Sequence, residues 1–141
     1  MEIKELEIID NESLLDFMKR IKETHQELFK DVTLMSQITK YSEEYNEMEE
    51  ATKHIDENSE AFYEELADMF IVACGILRFN EALGKCLCKS IADDFIYKRD
   101  EEGNDCLFEL TTRVIEKMNK NIKRVWSKTK DGNYKHVSSY N

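Results

Sequence analysis

Residues 59–79 read SEAFYEELADMFIVACGILRF, and this stretch decides the fold. Apolar side chains recur at helical spacing from Phe62 onward, and residues 69–77 are apolar on nearly every side. A helix that is apolar all round belongs in the interior of a protein, because each of its faces needs an apolar neighbour. We therefore predict a largely buried helix that begins with Ser59 as its N-cap and ends near Phe79.

Two pairs of acidic residues accompany this helix and the helix before it. Glu65 and Asp68 stand three residues apart just ahead of the apolar run, and Glu44 and Glu47 have the same spacing. At about 100° per residue, both pairs fall on the same border of the apolar stripe of their helix. If the two helices form an antiparallel hairpin, these borders meet and bring four carboxylates together. Because four carboxylates repel one another unless a cation lies among them, and because Mg²⁺ prefers oxygen ligands, the spacing predicts a magnesium site at these residues.

The alternative is that these acids belong to an ordinary solvated helix face. Asp and Glu account for 30 of the 141 residues, so acidic pairs at helical spacing also arise by chance. Asp68 favours the metal site, because it immediately precedes the apolar run and an unpaired buried carboxylate is energetically costly. Glu43 lies farther from the apolar stripe, and we expect it to assist the site or to face solvent.

The composition predicts an all-α protein. The chain has no proline and four glycines, and it is rich in residues that favour helices. Residues 1–141 are expected to form a single domain of about five helices, with a core at about residues 12–126 and a tail, residues 127–141, that extends along a partner or stays loose. Besides the helix that ends near Phe79, helices are expected from Asn11 or Ser13 to Phe29, from Asp31 or Thr33 to His54, from Leu83 to Tyr97 and from Cys106 to Trp126, with a charged loop around Gly103 before the last of them.

Charge and cysteine content exclude several functional classes. The net charge is −10, which argues against a general nucleic-acid binder because such a protein needs a basic surface. No apolar run approaches the roughly 18 residues of a membrane span, and no signal peptide is recognisable. The four cysteines match no zinc motif, so we expect free thiols in a reducing cytoplasm.

The charge is distributed unevenly along the chain. Residues 40–68 carry eleven acids and two lysines, a net charge of −9, whereas residues 117–136 carry seven basic residues and one aspartate, a net charge of +6. An acidic centre that faces a basic segment suits an anionic ligand that arrives with a divalent metal.

Three basic residues and one asparagine of the last helix form a stripe at steps of three and four residues. The members of this stripe are Arg113, Lys117, Asn121 and Arg124. Such a stripe is either a clamp for phosphate and base or an ordinary charged helix flank. Lys40, one turn before Glu44, is either a phosphate contact or an ion-pair partner of that glutamate. Trp126 is expected to pack rather than to stack on a base, and His25 is a further candidate nucleotide contact.

Together these residues resemble the MazG-like, all-α nucleoside triphosphate pyrophosphohydrolases. That family carries E-E-x-x-E followed, after a variable gap, by E-x-x-D, and the pattern matches residues 43–47 and 65–68. The similarity extends to Lys40, to Lys117, Asn121, Arg124 and Trp126, and to residues 132–137. The resemblance therefore covers about residues 33–137.

The resemblance implies a helical bundle that assembles as a homodimer or homotetramer. It also implies hydrolysis of a nucleoside triphosphate, with a deoxynucleoside triphosphate favoured, to the monophosphate and pyrophosphate, with Mg²⁺ as cofactor and Mn²⁺ as a substitute. By this resemblance the metal ligands are Glu44, Glu47, Glu65 and Asp68, the catalytic residues are Glu43 and Glu44, and the substrate-binding residues are Lys40, Lys117, Asn121 and Arg124, the last three from the same or a neighbouring subunit. The alternatives are a catalytically silent helical interaction module and a dUTP-specific pyrophosphatase of the same superfamily.

Overall fold

The computed structural model of the chain describes the backbone of residues 2–99 and 106–137 and the side chains of residues 2–95 and 107–137. Its elements, in order, are α1 (Leu14–Leu28), α2 (Leu34–Thr52), α3 (Ser59–Leu77), α4 (Glu81–Arg99), α5 (Cys106–Lys123), β1 (Val125–Lys128) and β2 (Tyr134–Val137). The described chain is thus mostly helical, as predicted, with a small sheet added near its end. None of the described helices combines the length with the apolar composition that a membrane crossing demands. The charged loop predicted around Gly103 lies outside the described residues.

Helix α3 is the centre of the bundle, and its almost wholly apolar second half explains why. It packs against α1, α2, α4 and α5, so each of its faces meets a neighbouring helix. The buried core comes from α1, α3, α4 and α5, with side chains that include Phe17, Leu66, Phe70, Phe95, Leu110 and Met118. Removal of this apolar surface from water is the main force that holds the helices together, at about 25 cal/mol per Å².

Helix starts follow the capping residues in the sequence. Ser13 caps α1 by accepting a hydrogen bond from the backbone N–H three residues later. Thr33 and Ser36 form a capping box at the start of α2, in which each side chain accepts from the backbone N–H of the other residue. Helix α3 is capped by Asn58 rather than by the predicted Ser59, because the Asn58 side-chain oxygen reaches a free N–H of the first turn.

Helix α2 buries three polar side chains beside the apolar residues that it packs against the core. Its buried residues are Ser36, Gln37 and Glu44, whereas Tyr45 is 43% exposed. Glu44 Oε1 pairs with Lys40, and Gln37 Nε2 donates a hydrogen bond to the tail of the chain. The apolar residues Tyr41 and Met48 pack, partly buried, against the core, so α2 supplies apolar contacts as well as buried polar groups that are stable where they are hydrogen-bonded.

The tail folds back on the bundle as a β-hairpin. Helix α5 ends at Lys123, so the predicted extension to Trp126 is wrong, and Val125 is 57% exposed at the start of β1. Strands β1 and β2 pair antiparallel, with Trp126 opposite His136. The connecting turn contains Gly132 at a φ of 86°, a left-handed conformation that glycine adopts without steric cost. The turn at Asp131 and Gly132 is readable from the sequence, whereas the pairing of the strands on either side of it was not predicted.

Two side-chain hydrogen bonds of Asn133 hold this hairpin against the start of α2. Its Nδ2 donates a hydrogen bond to the backbone carbonyl of Ser36 at 2.9 Å, and its Oδ1 accepts one from Gln37 Nε2 at 2.9 Å. The expectation of a loose or partner-bound tail is therefore wrong for residues 127–137, because polar contacts to a segment distant in sequence hold the hairpin in place. Residues 138–141 lie outside the described part of the chain.

Three of the cysteines are free thiols, as predicted. Cys74 and Cys88 are buried where α3 packs against α4, with their Sγ atoms 3.8 Å apart, and Cys86 is exposed. The side chain of Cys106 is outside the described set. The two buried thiols are small, weakly polar side chains that pack against each other in the core.

Gly75 is a point of very close approach between α3 and its neighbours. A Cβ atom at this position would lie 2.6 Å from His25 Cε1 and 2.7 Å from Gln37 Oε1. We expect Gly75→Ala to destabilise the protein by about 1–3 kcal/mol through this overpacking, although alanine is the better helix former. Urea unfolding followed by circular dichroism measures the loss. In a background that carries His25→Ala the loss should shrink, and an identical loss in both backgrounds would contradict the steric explanation.

Candidate functional site

A pocket of about 420 Å³ collects most of the polar residues that the sequence singled out. It lies among α1, α2, α3, α5 and the hairpin. Its lining includes Lys40, Glu43, Glu44, Asp68, Lys117, Asn121 and Arg124. The four predicted substrate-binding residues and both predicted catalytic residues therefore share one pocket, and a single chain supplies them all.

Three of the four predicted metal ligands converge. One carboxylate oxygen each from Glu44, Glu47 and Glu65 lies within 4.8 Å of the other two. The first two come from successive turns of α2 and the third from α3, so the packing of these helices creates the cluster. Asp68 lies outside it, because its Oδ1 pairs with Lys117 Nζ at 3.6 Å. The described geometry thus assembles three of the carboxylates rather than the predicted four.

This carboxylate cluster (Glu44, Glu47 and Glu65) contains buried oxygens without cationic partners. Glu44 Oε2 and Glu65 Oε2 are buried and receive no hydrogen bond from an amide, ammonium, guanidinium or hydroxyl group of the described residues. Burial and the negative charge of neighbouring carboxylates raise the pKa of Glu65 to about 8, and burial also raises the pKa of Glu44. A proton shared between these two carboxyl groups relieves the repulsion, and a divalent cation relieves it more completely. The all-oxygen donor set fits a hard cation such as Mg²⁺.

Asp68 and Lys117 form an ion pair at the wall of the pocket, next to the cluster. Burial, partly offset by the Lys117 charge, raises the pKa of Asp68 to about 6. Lys117 Nζ also lies 3.5 Å from a carboxylate oxygen of Glu64. The lysine is therefore held in position by two acidic side chains before any anionic ligand enters.

Lys40 occupies the α2 side of the pocket. Its Nζ lies 3.3 Å from Glu44 Oε1 and 4.0 Å from Glu43 Oε2, so the predicted ion pair with Glu44 is present. The lysine also lines the pocket, which leaves its second predicted role, as a phosphate contact, open. Glu43 has a side chain that is 54% exposed, in agreement with its position far from the apolar stripe.

The basic stripe of α5 divides into two parts. Arg124 donates a hydrogen bond to Asn121 Oδ1 at 3.3 Å, and the Trp126 indole N–H donates to the Asn121 carbonyl at 2.8 Å. Asn121 and Arg124 line the pocket together with Lys117. Arg113 instead forms ion pairs with glutamates of α3 and α5. The first residue of the stripe is thus part of the helix packing, and the last three belong to the pocket.

An aromatic wall completes the pocket, and most of it was missed from the sequence. The ring of Phe29 contacts Trp126, Tyr134 and His25, at centroid distances of 5.0, 5.1 and 5.0 Å. Trp126 packs, as predicted, but it also lines the pocket. Tyr134 was overlooked because the tail was expected to stay away from the bundle. The available signal was Gly132, which lies between two short segments that can form strands.

The site thus combines a carboxylate cluster, ammonium groups beside it and an aromatic wall. Comparison of the chain with protein-family models, with curated proteins and with solved structures finds no match. The pocket itself therefore carries the functional assignment. A ligand that satisfies all three features has an anionic end that binds a divalent cation and a flat, apolar end.

Proposed function

We propose that the protein is a Mg²⁺-dependent nucleoside triphosphate pyrophosphohydrolase of the MazG-like type, with a deoxynucleoside triphosphate as the favoured substrate. One observation carries the proposal: Glu44, Glu47 and Glu65 converge within 4.8 Å beside a pocket that is also lined by Lys40 and Lys117. Carboxylates that hold a cation, next to ammonium groups that bind anions, suit a polyphosphate chain, since hydrolysis of a phosphoanhydride depends on neutralising its charge.

In this proposal the carboxylate cluster holds the cation. Mg²⁺ bound there would neutralise phosphate charge and favour ionisation of an attacking water. Glu44 belongs both to the cluster and to the pocket lining, so it links the metal to the substrate. Asp68 is retained as a candidate fourth ligand, because it lines the pocket one helical turn after Glu65.

The pocket residues around the cluster bind the substrate. Lys40 and Lys117 are assigned to phosphate oxygens, because each already pairs with an acidic residue of the site and can exchange that partner for phosphate. Arg124 and Asn121 hydrogen-bond to each other. They are assigned to the remaining phosphate or to the sugar and base of the nucleotide. Glu43 is assigned to orienting water, since its exposed carboxylate lines the pocket.

The proposal also includes an oligomeric state and a cellular compartment for the enzyme. A homodimer or homotetramer remains part of it, as the resemblance implies, although one chain brings both walls of the pocket together. Free thiols at Cys74, Cys86 and Cys88 are compatible with a reducing cytoplasm, which is where we place the protein.

A nucleotide panel tests the function directly. The 141-residue chain is incubated with each of the four common ribonucleoside triphosphates, their deoxy counterparts and dUTP, in the presence of Mg²⁺ or Mn²⁺. We expect release of pyrophosphate and nucleoside monophosphate in equal amounts from at least one deoxynucleotide, and no release when EDTA is present. Absence of turnover across the whole panel with either metal would overturn the assignment.

The same panel separates the alternatives. Turnover confined to dUTP identifies a dUTP-specific pyrophosphatase. A catalytically silent interaction module would show neither turnover nor a metal-linked rise in melting temperature, because its acids would bind no specific cation. Release of orthophosphate in place of pyrophosphate would place the cleaved bond elsewhere in the triphosphate and so contradict the proposed reaction.

A further inference from the structure

Lys117 of α5 lies between two carboxylates of α3. Its Nζ is 3.6 Å from Asp68 Oδ1 and 3.5 Å from Glu64 Oε2, and its side chain is 19% exposed. Because the two distances are nearly equal, the ammonium group has two partners of comparable strength. A partly buried charge that loses its sole partner is costly, whereas a charge with two partners can leave one of them and remain paired.

Glu64 is held in place from its other side. Its Oε1 lies 3.3 Å from Arg113 Nη1, while its Oε2 faces Lys117. Arg113 also pairs with Glu60 and Glu109, and its side chain is 12% exposed. The guanidinium group keeps its charge in any protein, and these contacts fix its position. Glu64 is therefore a well-anchored anionic partner for Lys117 that does not belong to the carboxylate cluster.

Asp68, the other partner of Lys117, lies within electrostatic reach of the carboxylate cluster. It follows Glu65 by three residues on α3, so the two carboxylates project from the same face of the helix. Burial and, next, the charge of Asp68 are the largest causes of the raised pKa of Glu65. A divalent cation in the cluster would attract Asp68 as well, and Lys117 competes with that cation for the same carboxylate.

The cluster itself has buried oxygens that no lysine neutralises within the described residues. Glu44 is 7% exposed, and the Oε2 atoms of Glu44 and Glu65 are buried without a hydrogen bond from an ammonium or guanidinium group of that part of the chain. Lys40 pairs with the other oxygen of Glu44, at 3.3 Å. A divalent cation that binds these oxygens would gain a fourth carboxylate, that of Asp68, if Lys117 gives it up.

We propose that Lys117 is a movable counter-ion of the metal site. In the metal-free protein it pairs with Asp68, and when a divalent cation takes that carboxylate, Glu64 keeps the ammonium group beside the pocket, where it can bind phosphate. Binding of the cation thus releases the group that binds the anion, and Glu64 is a positioning residue that acts through Lys117. This inference rests on the proposed function, since it takes the carboxylate cluster to hold the cation.

The first test measures Mn²⁺ affinity without nucleotide in a double-mutant cycle of Asp68→Asn and Lys117→Met. Isothermal titration calorimetry gives the Kd of the wild type, of both single variants and of the double variant. In the wild type, the gain of a ligand and the loss of an ion pair oppose each other, so we expect Asp68→Asn to change Kd less than about threefold. In the Lys117→Met background the same substitution should weaken binding about tenfold or more. Lys117→Gln should serve equally well as the background.

A simple charge effect gives a different pattern. If Lys117 only repels the cation, its removal tightens Mn²⁺ binding by the same factor with and without Asp68→Asn. Equal factors in the two backgrounds would overturn the inference, and so would absence of Mn²⁺ binding in every member of the cycle. Lys120→Met removes an exposed charge of the same helix, away from the pocket lining, and should change Kd less than about twofold.

The second test asks whether Glu64 acts through Lys117. Glu64→Gln removes the alternative partner, so Lys117 should remain on Asp68, and Mn²⁺ binding should weaken about three- to tenfold. In the Lys117→Met background Glu64→Gln should have little effect, and a loss of equal size there would refute the positioning role. Glu60→Gln changes the other α3 carboxylate that pairs with Arg113 and is the matched control.

These measurements separate the inference from the proposed function, because they use Mn²⁺ alone. Coupling between Asp68 and Lys117 in a protein that hydrolyses no nucleotide would support the movable counter-ion and overturn the hydrolase assignment. Turnover in the nucleotide panel without this coupling would support the hydrolase and overturn the movable counter-ion.

Discussion

Glu44→Gln should strongly reduce nucleotide hydrolysis and at the same time raise the melting temperature of the metal-free protein. Glu44 is 7% exposed and lies in the carboxylate cluster, so its charge is unfavourable until a cation arrives. Loss of one ligand to the metal should lower kcat/KM about a hundredfold or more, since charge stabilisation by such a metal contributes several kcal/mol. Removal of the buried charge should raise the melting temperature by about 3–6 °C.

The two readouts move in opposite directions, which makes this prediction specific. Pyrophosphate release at saturating Mg²⁺ measures the first, and a thermal scan in EDTA measures the second. Glu49→Gln changes an exposed carboxylate of the same helix and should affect neither quantity. If Glu44→Gln retains wild-type activity, the carboxylate cluster is not the metal site. If it lowers the melting temperature in EDTA, the explanation from unfavourable buried negative charge fails.

The second large effect is the loss of stability of the metal-free protein as the pH rises, which bound Mg²⁺ should offset. Glu65 has a pKa raised from 4.5 to about 8 in the folded chain, so its contribution to stability is complete below pH 4.5 and is lost as the pH rises to 8. Asp68, raised from 3.8 to about 6, follows the same sign over a lower range. His25, lowered from 6.5 to about 4, has the opposite sign and loses stability as the pH falls from 6.5 to 4.

Between pH 6.5 and 8, therefore, the metal-free protein should lose stability chiefly through Glu65. Mg²⁺ binds the ionised cluster, so its stabilising effect should grow over this range and reach about 3 kcal/mol, or roughly 8 °C in melting temperature, at a hundredfold excess over Kd. Thermal scans at pH 5.5, 6.5, 7.25 and 8, with and without Mg²⁺, measure both trends. Glu65→Gln should flatten the alkaline limb and remove most of the Mg²⁺ effect. A Mg²⁺ shift of equal size at pH 5.5 and pH 8 would contradict the linkage.

Local sequence patterns predicted much of the fold. The apolar run at residues 69–77 placed α3 in the interior, and Ser13 and Thr33 marked the starts of two helices. The buried positions of α5, such as Val114 and Met118, recur at the three- and four-residue steps of a helix. These features depend on residues within a few turns of one another, and such short-range patterns can be read without knowledge of the fold.

The candidate site was predicted in part. Spacing alone identified Glu44, Glu47 and Glu65, because two carboxylates three residues apart share a helix face and the two faces meet when α2 packs on α3. The position of Asp68 was not predictable in the same way. Its partner Lys117 comes from α5, and the competition between a lysine and a cation for one carboxylate depends on how three helices pack.

The sequence by itself determined which segments are helical, which helix is buried and which acids can share a face. Only the tertiary structure decided that the tail returns as a hairpin, that α2 buries Ser36 and Gln37, and that Asn133 joins the two. The reason is physical: a helix or an acidic pair is specified by neighbours along the chain, whereas a buried side-chain hydrogen bond is specified by whichever distant group comes within about 3 Å of it.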